Sequence, residues 1–289
     1  MTFDLKRGKL QAKVRAKGGE LISLTDGDGQ EHIWEGDPAF WAGQNPILFP
    51  IVGALKDGRV DIGGKTYEMG RHGFAREMEF TTVGQGEDFV TLELREDETT
   101  LAQYPFPFSL KVTHQLLEDG FSTTFEVENP GASPMPFCVG AHPAIRIPEG
   151  ENFEDYELLF DEAERADSHL LTPPGIIRHD GRRPMLEESG KIPLRYADFA
   201  EMDTLIFSML RSGNVSLFNR KTGRSVGLDF HEFPMVAFWT KPGAPFLCLE
   251  PWHGCAAYDN ESGKFADKPF CVTLQPGESK RLSYSIRIE

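Results

Sequence analysis

Three short segments concentrate ionisable side chains among residues that restrict the backbone. The first is Arg71-His72-Gly73-Phe74-Ala75-Arg76, preceded by Asn45-Pro46-Ile47-Leu48-Phe49-Pro50. The second is Val139-Gly140-Ala141-His142-Pro143, and the third is Leu249-Glu250-Pro251-Trp252-His253-Gly254. Glycine admits positive φ and close approach of a ligand, whereas proline locks φ and removes a donor. Ionisable groups flanked in this way are held still, as proton transfer at a defined atom requires.

His142 follows the strand-like Phe137-Cys138-Val139 and is wedged between Ala141 and Pro143. An imidazole there serves as a general acid or base near neutral pH, or else as a core histidine bonded to backbone. Glu250 follows the apolar run Pro245-Phe246-Leu247-Cys248-Leu249 and precedes Pro251-Trp252. A carboxylate at the end of a buried strand, walled by an indole, loses hydration, and that raises its pKa towards the range of a useful base. The alternative is a turn carboxylate accepting backbone N–H groups. Arg71, His72 and Arg76 form the most basic cluster of an acidic chain, suited to a carboxylate or phosphate, or to pairing with Glu77 and Glu79.

His72, His142, Glu250 and His253 offer metal-ligating atoms. However, Glu250-x-x-His253 spans a proline and reads as a loop, and neither H-E-x-x-H nor a Cys/His zinc spacing is present, so no metal is expected. No G-x-S-x-G marks a serine hydrolase, and no glycine-rich loop leads from a strand into a helix, so no nucleotide cofactor is expected either.

The elements that must position these groups are strands. Lys9 to Thr25 reads as a hairpin turning at Lys17-Gly18-Gly19, and Val60 to Met69 pivots on Gly63-Gly64, a pair suited to a type I′ turn. Thr82 to Arg95 is expected to turn at Gly84-Gln85-Gly86. The clearest period of two runs through Phe108, Leu110 and Val112, then, after Glu118-Asp119-Gly120, through Phe121, Thr123, Phe125 and Val127. Val215 to Phe230 is expected to turn at Lys221-Thr222-Gly223, and Phe270 to Ile288 at Gln275-Pro276-Gly277. Only Thr99 to Tyr104 and Leu194 to Met202 read as short helices. With 20 Pro, 29 Gly and no linker, the chain is expected to form one all-β domain over residues 1–289, a large antiparallel β-sandwich.

Charge narrows the partners. The 289 residues carry 30 Lys plus Arg against 45 Asp plus Glu, a net charge of −15, which argues against nucleic acid and anionic membrane surfaces. No apolar run reaches the roughly 18–20 residues of a membrane helix, and the first residues lack a signal-peptide core. Four cysteines without a C-x-x-C fit reduced thiols, so a cytoplasmic location is expected.

Taken together and in this order, the segments resemble the aldose 1-epimerase (mutarotase) family, in particular its bacterial branch with N-P-x-L-F-P…H-G-F-A-R. The resemblance runs from about Leu10 to Ile288 and also includes Asp203 to Phe207. It implies a galactose mutarotase-like β-sandwich that interconverts the α and β anomers of a free hexose without a cofactor. It further implies Glu250 as base, His142 as acid, His72 as a group that binds and polarises the sugar near its ring oxygen, and Asp203 as a ligand for a sugar hydroxyl. One departure is Ala54, which stands where galactose mutarotases place a sugar-contacting arginine; Lys56, Arg71 or Arg76 are the candidates to replace it. Arg71 and Arg76 also keep open a hexose 6-phosphate substrate, and loss of turnover would leave a sugar-binding module on the same fold. The partner expected is a small sugar, the protein itself being a monomer or homodimer.

Overall fold

The period of two in Phe108 to Val127 lies at the heart of the largest sheet. Strands Ser109–Leu116 and Gly120–Glu128 pair antiparallel. Leu110, Val112, Phe121, Phe125 and Val127 are buried, while Lys111 and Glu126 on the other face are partly exposed. The computed structural model describes residues 1–289 and places this hairpin in a nine-stranded antiparallel sheet. Across that sheet the strands run Lys191–Pro193, Tyr156–Phe160, Asn214–Asn219, Ser225–Asp229, Ser279–Ile288, Gly120–Glu128, Ser109–Leu116, Phe89–Arg95 and Thr81–Gln85.

A second antiparallel sheet runs Thr204–Ser208, Met235–Trp239, Phe246–His253, Val139–Ala141 and Ile47–Leu48, with Ala144–Arg146 also paired to Phe246–His253. A three-stranded sheet, Thr2–Arg7, Leu10–Arg15 and Glu20–Thr25, lies against Ser109–Leu116. One continuous cluster of 61 buried apolar side chains draws on all three, from Phe3 and Leu5 through Leu110 and Phe125 to Phe238 and Leu247. The all-β sandwich expected from the sequence is therefore the observed fold. No helix is long and apolar enough to cross a membrane.

The strands of the second sheet separate two environments. Leu205, Phe207, Val236, Phe238, Leu247 and Leu249 point into the shared core. Alternate residues Ile206, Ala237, Cys248, Glu250 and Trp252 face the other way, because successive side chains of a strand point to opposite faces. The candidate chemistry lies on that second face.

Most expected hairpins are present: Gly63 and Gly64 both take positive φ, and Lys221-Thr222-Gly223 joins its two strands. Three expectations change. The Thr81–Gln85 strand runs through Gly84 and Gln85, with Val83 unpaired at a register irregularity and Gly84 paired to Thr91, so the turn falls at Gly86-Glu87-Asp88. Val272–Leu274 does not pair with Ser279–Ile288; it pairs with Met135–Phe137, and Ser279–Ile288 is claimed by the longer partner Gly120–Glu128. The strand holding Glu250 continues through Pro251 to His253, so Glu250 lies within a strand rather than before a loop. The two short helices are Glu98–Gln103, capped by the Asp97 side chain, and Tyr196–Met202.

His114 makes the core sensitive to acid. Its Nε2–H donates to the Gly19 carbonyl (2.7 Å) and its Nδ1 accepts from the Thr123 hydroxyl (3.0 Å), an arrangement that needs the neutral ring. Burial lowers its pKa to about 4, with the Gly19 bond opposing. An unfolded histidine protonates near pH 6.5, so the unfolded chain binds more protons between those values. Stability is therefore full above about pH 6.5 and is lost as pH falls through about 4, by on the order of 3 kcal/mol from this group. Urea unfolding of His114→Gln should show lower stability at pH 7 but a shallower decline towards pH 4 than wild type; equal slopes would remove His114 as the cause.

Candidate active site

The register of two strands brings His142 and Glu250 together. Val139 pairs with His253 and Gly140 with Trp252, the ladder pauses, and Ala144 pairs with Cys248 in the same register. His142 therefore lies opposite Glu250, at the separation of a cross-strand neighbour pair. Its Nε2 is 3.2 Å from the Glu250 carboxylate. On the other side of Glu250 stands Ala237, whose methyl group leaves the space in front of the carboxylate open.

The two parts of the first segment are knitted into one layer. The Phe49 N–H donates to the His72 carbonyl, and the Phe74 and Ala75 N–H groups donate to the Phe49 carbonyl. A Cβ on Gly73 would meet the Phe49 carbonyl at 2.2 Å, so only glycine fits there. His72 is held at φ 67°, a positive value uncommon outside glycine. Its Nδ1 accepts from the Gly53 N–H (3.1 Å), which assigns the ring proton to Nε2. His72 is thus a fixed N–H donor.

All six residues singled out in the sequence, Glu250, His142, His72, Arg71, Arg76 and Asp203, line one cavity of about 200 Å³. Three of the four tryptophans line it as well. Trp41 and Trp239 flank the His142 ring at centroid distances of 4.9 and 5.7 Å, and Trp252 stands two residues beyond Glu250 on the same face. The sequence reading missed Trp41 and Trp239; their signal was rarity, since an acidic chain with four tryptophans has few flat apolar surfaces to offer. Trp41 is anchored by its carbonyl, which accepts from Trp34 Nε1–H (2.8 Å). Ala54 also lines the cavity together with Arg71 and Arg76, and Lys56 donates instead to the Asp259 carbonyl.

At the mouth, Arg71 donates to the Pro174 carbonyl, and Arg76 Nε lies 3.6 Å from Glu77, within ion-pair range but too long for a hydrogen bond. Glu79 pairs instead with the amino terminus. Asp203 accepts from the Thr204 hydroxyl (3.1 Å) and sits at φ 63°, ψ −63°, a strained conformation for a residue with a side chain. A larger cleft of about 520 Å³ lies elsewhere, but there Asp26 and His32 are already paired at 2.9 Å. In the smaller cavity both Glu250 oxygens, His142 Nδ1 and Trp252 Nε1 are buried with no hydrogen-bond partner.

Burial sets the proton affinities. It pushes the Glu250 carboxyl well above the usual range, the Asp203 carboxylate adds to this, and the nearby Trp252 indole opposes it without reaching hydrogen-bond geometry. Burial, helped by the charges of Arg76 and Arg71, lowers His142 to about 3. His72 is lowered well below the usual histidine value, first by burial and then by the charges of His142, Arg76 and Arg71. Burial thus favours a neutral Glu250–His142 pair sharing one proton.

This fold and cavity define a galactose mutarotase-like β-sandwich. The sequence model for the aldose 1-epimerase family matches residues 1–287. The chain is 36% identical to the chromosomal protein LacX of Lactococcus lactis subsp. lactis over 298 residues, covering 100% of this chain and 99% of that one. A galactose mutarotase related enzyme from Lactobacillus acidophilus superposes with a TM-score of 0.95 at 29% identity, over 100% of this chain and 97% of the other. A galactose mutarotase-like protein from Lactobacillus casei gives 0.94 at 28% identity, covering both chains fully. The chain belongs to the aldose 1-epimerase family.

A buried carboxyl with a raised pKa keeps its proton in the fold at pH values where the unfolded chain has lost it. Stability from this group is therefore full below about pH 4.5 and declines as pH rises towards the native pKa. Glu250→Gln should melt at a higher temperature than wild type at pH 8, with the gap closing towards pH 4.5. A gap independent of pH would show that Glu250 is not desolvated.

Proposed function

We propose that this protein is an aldose 1-epimerase that interconverts the α and β anomers of a free hexose, with Glu250 as base and His142 as acid. The observation that carries the reading is the 3.2 Å contact of two buried titratable groups, neither with another hydrogen-bond partner, in a cavity of sugar size. Opening a hemiacetal requires loss of the proton on O1 and gain of one on the ring oxygen. Handover of the shared proton from Glu250 to His142 prepares both groups at once. Glu250 then takes the O1 proton, His142 protonates the ring oxygen, and the C1–O5 bond breaks to give the open-chain aldehyde. Rotation about C1–C2 presents the other carbonyl face, and closure returns both protons. No cofactor enters this scheme.

The remaining residues bind. His72 Nε2–H donates towards the ring oxygen side, Asp203 accepts from a sugar hydroxyl, and Arg71 with Arg76 supply the donors that Ala54 lacks. Trp41 and Trp239 offer faces for the C–H side of the ring. A second reading, a hexose 6-phosphate substrate, rests on the two arginines at the mouth. In the first reading the protein works in the cytoplasm, as a monomer or homodimer.

Polarimetry of freshly dissolved α-glucose and α-galactose tests this directly. The protein should accelerate relaxation, and Glu250→Gln and His142→Ala should each lower kcat by at least about 10²-fold, the scale of a lost acid or base. Near-wild-type turnover in both variants would overturn the roles. Acceleration confined to hexose 6-phosphates, with inhibition by inorganic phosphate, would favour the second reading. No acceleration of either would indicate a sugar-binding module.

The pH profile follows from the pair. Activity requires one proton shared between Glu250 and His142, and the second proton is taken up only near the lowered His142 value of about 3. kcat/KM should therefore show no acid limb near pH 6.5, where an exposed histidine would titrate. An acid limb at that pH would contradict the buried pair.

A further inference from the structure

Beyond the epimerase reading, we infer that His142 and Glu250, which line the cavity, and Cys248, fully buried beside them, form a zinc-binding site. Their ligating atoms, an imidazole nitrogen, a thiol sulfur and a carboxylate oxygen, all lie within 4.8 Å of one another. Tetrahedral zinc with bonds of about 2.0–2.3 Å holds neighbouring ligand atoms roughly 3.3–3.8 Å apart. The His142–Glu250 contact of 3.2 Å is already close to that edge length. Even the widest pair needs to close by at most about 1 Å.

The strand geometry explains the convergence. Cys248 and Glu250 are two residues apart on one strand and share a face, and His142 projects from the neighbouring strand opposite Glu250, one row from Cys248, which Ala144 faces. Spacing along the chain misses such a set, because the third ligand arrives across a ladder rather than within a motif. All three residues are buried, Glu250 at 1% and His142 at 8% exposure, and apart from the His142 contact neither Glu250 oxygen has a partner. Unpartnered buried polar atoms are costly, and a cation accepting them removes that cost.

The donor set also selects the ion. A thiolate with an imidazole suits zinc over magnesium or calcium, which take oxygen ligands. Thiolate and carboxylate together neutralise a divalent charge in a buried place, and two protons leave to solvent on binding, one from the thiol and the one shared by Glu250 and His142. Three protein ligands leave a fourth position for water. Zinc held by this set engages both Glu250 and His142 and so blocks proton transfer by either; inhibition by zinc rests on the proposed function, whereas binding does not.

The test uses the purified full chain. Titration with zinc alone in a calorimeter should show one tight site, and Cys248→Ala should weaken it by at least about tenfold. Loading with cobalt should give a thiolate-to-cobalt charge-transfer band that Cys248→Ala abolishes and Cys271→Ala keeps. His179→Ala removes the competing exposed cluster of His179, Asp180 and Asp259 and should leave the tight site intact. If Cys248→Ala fails to fold, Cys248→Ser, closer in size, takes its place. In the turnover assay Cys248→Ala should keep its basal rate and need at least about tenfold more zinc for half inhibition. A wild-type protein without the cobalt band, or a Cys248→Ala protein that binds zinc as tightly as wild type, overturns the site. Wild-type turnover without zinc inhibition, when zinc is bound, would place the metal elsewhere.

Discussion

The site depends on a register that survives an interruption. The strands on either side of His142 pair with Phe246–His253 in one continuous alignment, although Pro143 stands at the break. The Pro143 carbonyl still accepts from the Leu249 N–H (3.0 Å), which carries the alignment across. A slip of one residue would turn Glu250 into the core and bring Leu249 to the cavity, because side chains alternate with period two. Proximity of acid and base, their burial and the opposite shifts of their proton affinities all follow from this one alignment.

That arrangement works against stability, and the rest of the fold offsets it. Two carboxylate oxygens, an imidazole nitrogen and an indole N–H are buried without partners around one cavity. His72 and Asp203, both at its edge, occupy positive φ. Strain and unsatisfied groups persist only where surrounding structure over-determines them. Here the surroundings are the knitted Phe49–Gly73 layer on one side and the 61-residue apolar core behind the second sheet on the other. The face that holds the site can be polar because its opposite face is fully apolar.

Much of the site could be read from residue types alone. Gly73, Pro143 and Pro251 advertised constrained backbone beside His72, His142 and Glu250, and the structure puts all three ionisable residues in one cavity. Trp41 and Trp239 were not legible in this way. Trp41 belongs to an irregular segment, and Trp239 lies in a strand that would read equally well as core. The Phe270 to Ile288 segment misled for a related reason. A turn sequence such as Gln275-Pro276-Gly277 predicts a reversal of direction, but which strands then pair depends on competing partners far along the chain.

The sequence by itself determined the strand-rich class, through its period of two and its glycine and proline turns, and it determined which groups could exchange protons. Both are local properties, encoded in neighbouring residues. The tertiary structure decided that His142 meets Glu250, that Cys248 lies beside them and that two tryptophans flank the imidazole. Those contacts join residues about a hundred or more positions apart, or strands whose register is set by every other strand in the sheet. It also decided the proton affinities, since desolvation is a property of the filled space around a group and not of the group's neighbours in sequence.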